Sequence, residues 1–151
     1  MAQIKIKSFS VEKTKQIGII FAKNAKNGTI ITLDGDLGAG KTTLTRGVAQ
    51  GLNITEVVQS PTFNIMKIYL KGDRPLIHID AYRLADFNTD IGLEEYIGYE
   101  SGLTLIEWPE FIKNLLVDDH VEVNIKNLGD DIRELTITTN DENLLEALKN
   151  V

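Results

Sequence analysis

The chain has 151 residues, 42% of them hydrophobic and 25% charged, and a formal net charge of −6 at pH 7. These values are typical of one globular domain with a sizeable core, and the negative charge excludes binding of nucleic acid by bulk electrostatics, which needs clustered Lys and Arg. The absence of cysteine excludes disulfides and thiolate metal sites.

No apolar run has the length and flanks of a signal peptide or of a membrane-spanning helix. We therefore expect a cytoplasmic protein with no membrane partner, organised as a single domain over residues 1–151. If the protein serves a nucleic acid process, we expect another protein to hold the nucleic acid, because the basic residues here are sparse and scattered.

The first two elements are predicted from simple periodicity. Polar and apolar residues alternate over residues 3–7, which indicates a half-exposed strand. Ser10 has the residue type and position of a helix N-cap, and apolar residues at helical spacing follow it. The pair at residues 27–28, Asn-Gly, predicts the end of that helix.

A glycine-rich loop with the sequence GDLGAGKT follows at residues 35–42. It matches G-x-x-x-x-G-K-[ST] between an apolar, β-branched run at 29–33 and a helical pattern at 43–52, the context in which this motif binds phosphate. Glycines let backbone N–H groups converge on phosphate oxygens, and the helix N-terminus adds partial positive charge. We predict a nucleoside triphosphate site in which Lys41 reaches the β- and γ-phosphates and Thr42 ligates Mg²⁺.

The next segment is predicted to be a loop, because it contains a Ser-Pro step. Ser60 and Thr62 lie where a switch that senses the γ-phosphate would lie, and the alternative is an ordinary Ser-Pro turn. Residues 63–70 and 76–79 are then predicted to pair as an antiparallel hairpin.

The second half of the chain predicts further elements of both kinds. Together with the first half they indicate an α/β fold, a P-loop NTPase-like three-layer sandwich whose mixed, mostly parallel sheet carries antiparallel additions. These later predictions are a short helix at 93–97, a buried strand at 103–106, helical spacing over 111–116, a hairpin of strands at 120–125 and 134–138 with its turn at 129–131, and a helix around 144–148.

Two apolar strands end on a carboxylate, Asp80 on one and Glu107 on the other. A nucleotide hydrolase needs carboxylates near Mg²⁺ and the attacking water, commonly at the carboxyl end of a hydrophobic strand. The alternative for each is a solvated strand end or a capping carboxylate. We expect His78 to face the core or a neighbouring strand, and Trp108 to be either a core residue or a contact aromatic at the rim of the site.

The class of triphosphate-using protein follows from what the sequence lacks. It has no D-x-x-G after a strand and no N-K-x-D, which a GTPase should have. A small-molecule kinase closes several arginines over the transferred phosphoryl group, whereas this chain has four arginines in all: Arg46, Arg74, Arg83 and Arg133. An ATPase is favoured, and a small-molecule kinase or a nucleotide-gated binding module are the alternatives.

Four motifs, GDLGAGKTTLTRG, SPTF, HIDAYRL and IEWPE, in this order and at these separations closely resemble the TsaE (YjeE) family. The resemblance covers nearly the whole chain. It implies a bacterial ATPase required for threonylcarbamoylation of the adenosine beside the anticodon in tRNAs that read ANN codons. It also implies ATP and Mg²⁺ as cofactors and a TsaB–TsaD heterodimer as partner, with tRNA reached only through that complex.

The resemblance assigns roles residue by residue. It implies that Asp80 orients or deprotonates the attacking water and that Thr42 and Glu107 ligate Mg²⁺, although the roles of the two acids could be exchanged. Lys41, which we predict to reach the phosphates, is the second catalytic candidate. Ser60 and Thr62 match a switch-like loop. Trp108 is a further candidate for contact with the partner. The predicted nucleotide contacts are Gly38, Ala39, Gly40, Lys41, Thr42 and Thr43, with Ser10 and Arg133 as weaker matches near the adenine and ribose.

Overall fold

The computed structural model describes residues 2–36, 38–58, 65–82, 95–112, 116 and 119–151, and the following account concerns these residues. They form seven strands, three α-helices and one short 3₁₀ helix. In chain order these elements are β1 (Ala2–Ser8), α1 (Val11–Asn24), β2 (Ile30–Asp34), α2 (Lys41–Gly51), β3 (Met66–Tyr69), β4 (Leu76–Asp80), β5 (Leu103–Glu107), the 3₁₀ helix (Pro109–Phe111), β6 (Val121–Gly129), β7 (Ile132–Thr139) and α3 (Glu142–Lys149).

The strands form one sheet in the order β1-β7-β6-β2-β5-β4-β3. At its centre β2 pairs in parallel with both β5 and β6, and β4 pairs in parallel with β5. Toward the edges the β3–β4, β6–β7 and β1–β7 pairs are antiparallel. The predicted α/β class and both predicted hairpins are thereby confirmed.

The two faces of the sheet are covered differently. Ile31 and Leu33 of β2 belong to a core cluster that includes the buried residues of all three α-helices. Ile30, the strand neighbour of Ile31, belongs to a second cluster with Ile106, and Tyr96 packs against this cluster. Because successive strand residues point to opposite faces, the helices lie on one face and the segment around Tyr96 and the 3₁₀ helix lies on the other.

The helix ends show how side chains satisfy backbone groups. Ser10 caps α1 as predicted, since its side chain accepts a hydrogen bond from the backbone nitrogen of Lys13 at 3.1 Å. The helix ends at Asn24, slightly before the predicted Asn-Gly pair. There Arg74 donates to the carbonyl oxygens of Ala22 and Ala25, which would otherwise lack a helical partner.

Other predicted segments agree only in part. Of the short helix predicted at 93–97, residues 93–94 lie outside the described residues, Glu95 has 3₁₀-helical conformation, and residues 96–98 form a turn. The helical spacing predicted over 111–116 begins in the 3₁₀ helix, and residues 113–115 lie outside the described residues. The predicted switch loop, with Ser60 and Thr62, lies outside the described residues. In the described part of the chain, every helix is too short or too polar to span a membrane.

Helices α1 and α2 are in direct backbone contact, which the sequence pattern did not predict. A Cβ atom at Gly18 would overlap the carbonyl oxygen of Leu44 and lie 2.7 Å from the nitrogen of Val48. A Cβ atom at Gly47 would overlap the carbonyl oxygen of Lys15. Glycine is therefore required at these positions by close approach, and it holds the helix that follows the phosphate loop against α1.

This contact predicts a selective loss of stability. We expect Gly47→Ala to lower the free energy of unfolding by roughly 1–3 kcal/mol, since the overlap forces α1 and α2 apart despite the better helix propensity of alanine. Gln50→Ala on the exposed side of the same helix is the control and should change it by less than about 0.5 kcal/mol. Thermal or urea unfolding measures both, and equal stability of the two variants would contradict the close-packing account.

Candidate functional site

The N-terminus of α2 is left open by the glycine loop. Ser10 and Asp141 each cap their helices with a side-chain oxygen, whereas α2 begins after Gly40, which has φ 105° and offers no side-chain cap. Gly38 also has a positive φ, of 79°. Because both glycines adopt conformations that disfavour a side chain, the loop presents backbone at the positive end of the helix, an arrangement suited to an anion.

Two acids meet at the edge of the sheet in front of this helix end. Strands β4 and β5 run in parallel, and their register places Asp80 directly opposite Glu107. Both border a cavity of about 620 Å³ that the phosphate loop also borders. The residues that line it are Gly38, Gly40, Lys41, Thr42, Thr43, Asp80, Tyr82, Glu107, Trp108 and Arg133.

Most residues predicted for the nucleotide site therefore share one cavity. Ala39 is 1% exposed, and its N–H donates to the carbonyl oxygen of Asp36 at 3.0 Å, within the loop. Ser10 caps α1 and does not line the cavity, although its neighbour Val11 lines a small crevice beside Gly40. A contact of Ser10 or Ala39 with a nucleotide stays a prediction.

Lys41 is held against an aromatic wall. Its side chain is largely buried, and Nζ lies 4.2 Å from the centroid of the Trp108 ring. Trp108, which has the uncommon φ of 58°, in turn packs against Tyr82 with ring centroids 5.1 Å apart. Trp108 is thus neither a simple core residue nor an isolated rim residue, and Tyr82 forms part of the same cavity wall.

The two carboxylates are nearly fully buried, with Asp80 5% and Glu107 4% exposed. Oε2 of Glu107 lies 2.7 Å from Nε2 of His78, which is itself fully buried. Oδ1 of Asp80 accepts a hydrogen bond from the backbone nitrogen of Tyr82 at 3.1 Å. Burial raises the pKa of Asp80 above its usual value; the Tyr82 N–H opposes this shift and the nearby Glu107 carboxylate adds to it.

Arg133 joins the β6–β7 hairpin to the phosphate loop. Its guanidinium donates to the carbonyl oxygen of Gly38 at 3.3 Å and to that of Asp130, in the hairpin turn, at 2.7 Å. It also donates to Oδ1 of Asn127 at 3.0 Å. These bonds give Arg133 a role in holding the loop, while the predicted contact with adenine or ribose stays a prediction.

The donors of the cavity fit a magnesium ion bound together with a phosphate ligand. Thr42 and Glu107 offer a hydroxyl and a carboxylate, the hard oxygen donors that Mg²⁺ prefers. Within the described ranges, no group of three or more His, Cys, Asp or Glu side chains could hold a metal ion by itself. Magnesium commonly takes one or two protein carboxylates and completes its shell with waters and substrate phosphates.

The arginines that the structure describes do not converge on the cavity. Arg46 donates from Nε to the carbonyl oxygen of Val58, and Arg74 caps the end of α1. Arg133 alone of these three lines the cavity, and Arg83 lies outside the described residues. The described part of the site thus lacks the several arginines expected of a small-molecule kinase.

The raised pKa of Asp80 predicts a pH-dependent gain of stability on its replacement. The folded protein keeps this proton to higher pH than the unfolded chain, so stability falls as pH rises from about 4 through the folded-state pKa. We expect Asp80→Asn to raise the Tm near pH 7 and to have a smaller effect near pH 4. Melting curves of both proteins across this pH range test the prediction. Asp36→Asn, which replaces an exposed carboxylate, is the control. A Tm of Asp80→Asn below that of the original protein near pH 7 would contradict the prediction.

Comparison with known proteins is consistent over almost the whole chain. The family described as "Threonylcarbamoyl adenosine biosynthesis protein TsaE" matches residues 8–135. The tRNA threonylcarbamoyladenosine biosynthesis protein TsaE of Bacillus subtilis (strain 168) is 47% identical over 138 residues, 91% of this chain and 87% of that protein. The protein of the same name from Treponema pallidum (strain Nichols) is 36% identical over 132 residues, 86% of this chain and 96% of that protein.

The fold is also similar to a solved structure. The crystal structure of Bacillus subtilis YdiB superposes with a TM-score of 0.84 at 41% sequence identity, over 99% of this chain and 95% of that one. The family match extends over the phosphate loop and both carboxylate-ending strands and ends within β7. This chain belongs to the TsaE family.

Proposed function

We propose that this protein is a Mg²⁺-dependent ATPase that supports formation of N6-threonylcarbamoyladenosine in tRNA together with a TsaB–TsaD-like heterodimer. The observation that carries the proposal is the cavity between the open N-terminus of α2 and the two in-register carboxylates, Asp80 and Glu107. A phosphate chain and two acids for metal and water binding are the parts that phosphoryl transfer to water requires.

The phosphate loop and the two acids each have a task in this proposal. The loop from Gly38 to Thr43 binds the phosphates through backbone N–H groups, and Lys41 places a positive charge on them. Thr42 and Glu107 hold Mg²⁺, which, when bound, neutralises charge that develops on the phosphate oxygens. Asp80 orients the attacking water and accepts its proton, a role for which a pKa above the usual value makes a carboxylate better suited.

The accessory role in tRNA modification has separate support. The Bacillus subtilis and Treponema pallidum relatives carry the name of tRNA threonylcarbamoyladenosine biosynthesis proteins. A net charge of −6 disfavours direct binding of tRNA by this chain, so the partner complex is assigned that task. The TsaB–TsaD pair itself is inferred from the motif resemblance.

Two alternatives make different demands on the site. A small-molecule kinase is disfavoured because Arg46 and Arg74 bind backbone carbonyls away from the cavity. A nucleotide-gated binding module needs phosphate contacts but no acid to activate water. The near-complete burial of both carboxylates beside the phosphate loop favours hydrolysis, because burial of a charge that has no task is costly.

The proposed function predicts slow ATP hydrolysis by the isolated protein and a changed rate when a purified TsaB–TsaD pair is added. Lys41→Met, which keeps the apolar stem and removes the charge, should lower the rate by about 100-fold or more. Lys23→Met on the exposed surface of α1 is the matched control and should leave the rate unchanged. Full activity of Lys41→Met would contradict the phosphate-loop assignment, whereas a rate insensitive to the partner pair would contradict the accessory role.

The division of labour between the acids predicts two different defects. Glu107→Gln should weaken Mg²⁺-dependent nucleotide binding, because a metal ligand is lost. Asp80→Asn should retain that binding and slow hydrolysis by about 100-fold or more, because the water-activating group is lost. Equilibrium titration and single-turnover kinetics on both variants measure this. Loss of metal-dependent affinity in Asp80→Asn alone would reverse the assignment.

A further inference from the structure

One buried polar side chain next to the cavity has no task in the proposed mechanism. His78 is fully buried in the middle of β4 and does not line the cavity. It lies two residues before Asp80 and therefore points to the same face of the sheet. On that face its Nε2 atom lies 2.7 Å from Oε2 of Glu107 on the neighbouring strand.

The direction of this hydrogen bond follows from the chemistry of its two partners. An ionised carboxylate only accepts hydrogen bonds, so Nε2 of His78 is the donor and Oε2 of Glu107 the acceptor. Among the described residues, no other hydrogen bond to the Glu107 carboxylate is found. One contact therefore fixes one oxygen of a carboxylate that is only 4% exposed.

We propose that His78 is a positioning residue, whose Nε2–H holds one oxygen of Glu107 and so presents the other to the divalent cation of the ATPase site. This inference rests on the proposed function for the presence of that cation. Groups that hydrogen-bond to a metal ligand fix its orientation, and their loss commonly costs 10- to 100-fold in metal affinity. In this role His78 acts on the metal site through Glu107.

A purely structural role for His78 makes a different prediction. If the imidazole only provides a hydrogen bond to a buried carboxylate, any replacement of His78 should lower the stability of the fold. The metal affinity of each variant should then fall in proportion to its loss of stability. If the imidazole positions Glu107, the place of the N–H donor matters. The amide nitrogen of glutamine reaches about as far as Nε2 of histidine, whereas that of asparagine reaches only about as far as Nδ1. His78→Gln therefore keeps an N–H donor near the position of Nε2, whereas His78→Asn keeps an amide of the same polarity whose donor falls short of that position.

The experiment measures Mn²⁺ binding to the full chain in the presence of ADP by electron paramagnetic resonance, with Tm recorded for each variant. We expect His78→Gln to bind Mn²⁺ within about three-fold of the original protein and His78→Asn to bind it about 10- to 100-fold more weakly. ADP affinity without metal should be unchanged in both. His120→Asn is the matched control, because the other histidine of the chain also lies beside a carboxylate, with Nε2 3.1 Å from Oε1 of Glu122, away from the cavity.

The outcomes divide clearly. Equal Mn²⁺ affinities of the Gln and Asn variants, whether both normal or both weakened, would overturn the positioning role. If the unsubstituted protein bound no Mn²⁺ with ADP, the proposed function would fail, and this inference with it.

A second measurement does not depend on whether the variants fold. Nitrogen-15 NMR of the unsubstituted protein should show the ring proton of His78 on Nε2. A proton on Nδ1 alone would overturn the proposal, because Nε2 could then not donate to Glu107.

Discussion

Three charged groups, Lys41, Asp80 and Glu107, are almost completely removed from water at one end of the sheet. Removing an ion from water costs several kcal/mol even after relaxation, and the cost is offset only when opposite charges and hydrogen bonds surround it. Here the two carboxylates face the ammonium group across one cavity, the backbone of Tyr82 donates to Asp80, and the Trp108 ring covers Nζ of Lys41. Each of the three groups is held by contacts that other elements supply, so its geometry depends on those elements.

Strand pairing is what brings this set together. Parallel pairing of β4 with β5 places Asp80 beside Glu107, and a shift of the register by one residue would put the two acids on opposite faces of the sheet. Glycine contacts press α2 against α1, which fixes the position of Lys41 relative to the sheet. The antiparallel β6–β7 hairpin adds Arg133, whose bond to Gly38 ties the phosphate loop to the opposite side of β2. The antiparallel additions thus support the site as well as extend the sheet.

The sequence predicts those parts of this arrangement that depend on local patterns. Strand and helix periodicity, the Ser10 cap, the glycine loop and the two acids at strand ends are each encoded within a few neighbouring residues. The hydrogen bond from His78 to Glu107 and the one from Arg133 to Gly38 join residues distant in the chain, so they depend on strand order. Only the period of two that places His78 on the face of Asp80 could have indicated the first contact. Nothing in the local pattern indicates the second.

Trp108 shows why the two alternatives drawn from the sequence do not exclude each other. Its ring contacts the buried ammonium group of Lys41 and also Tyr82, which is 55% exposed. Replacement of Trp108 therefore changes the wall of the cavity and the support of an exposed aromatic side chain at the same time. A loss of stability would not exclude a partner surface here, and a loss of partner binding would not exclude a packing role. The two effects separate only at Tyr82, where the exposed ring can be removed while Trp108 still covers Lys41.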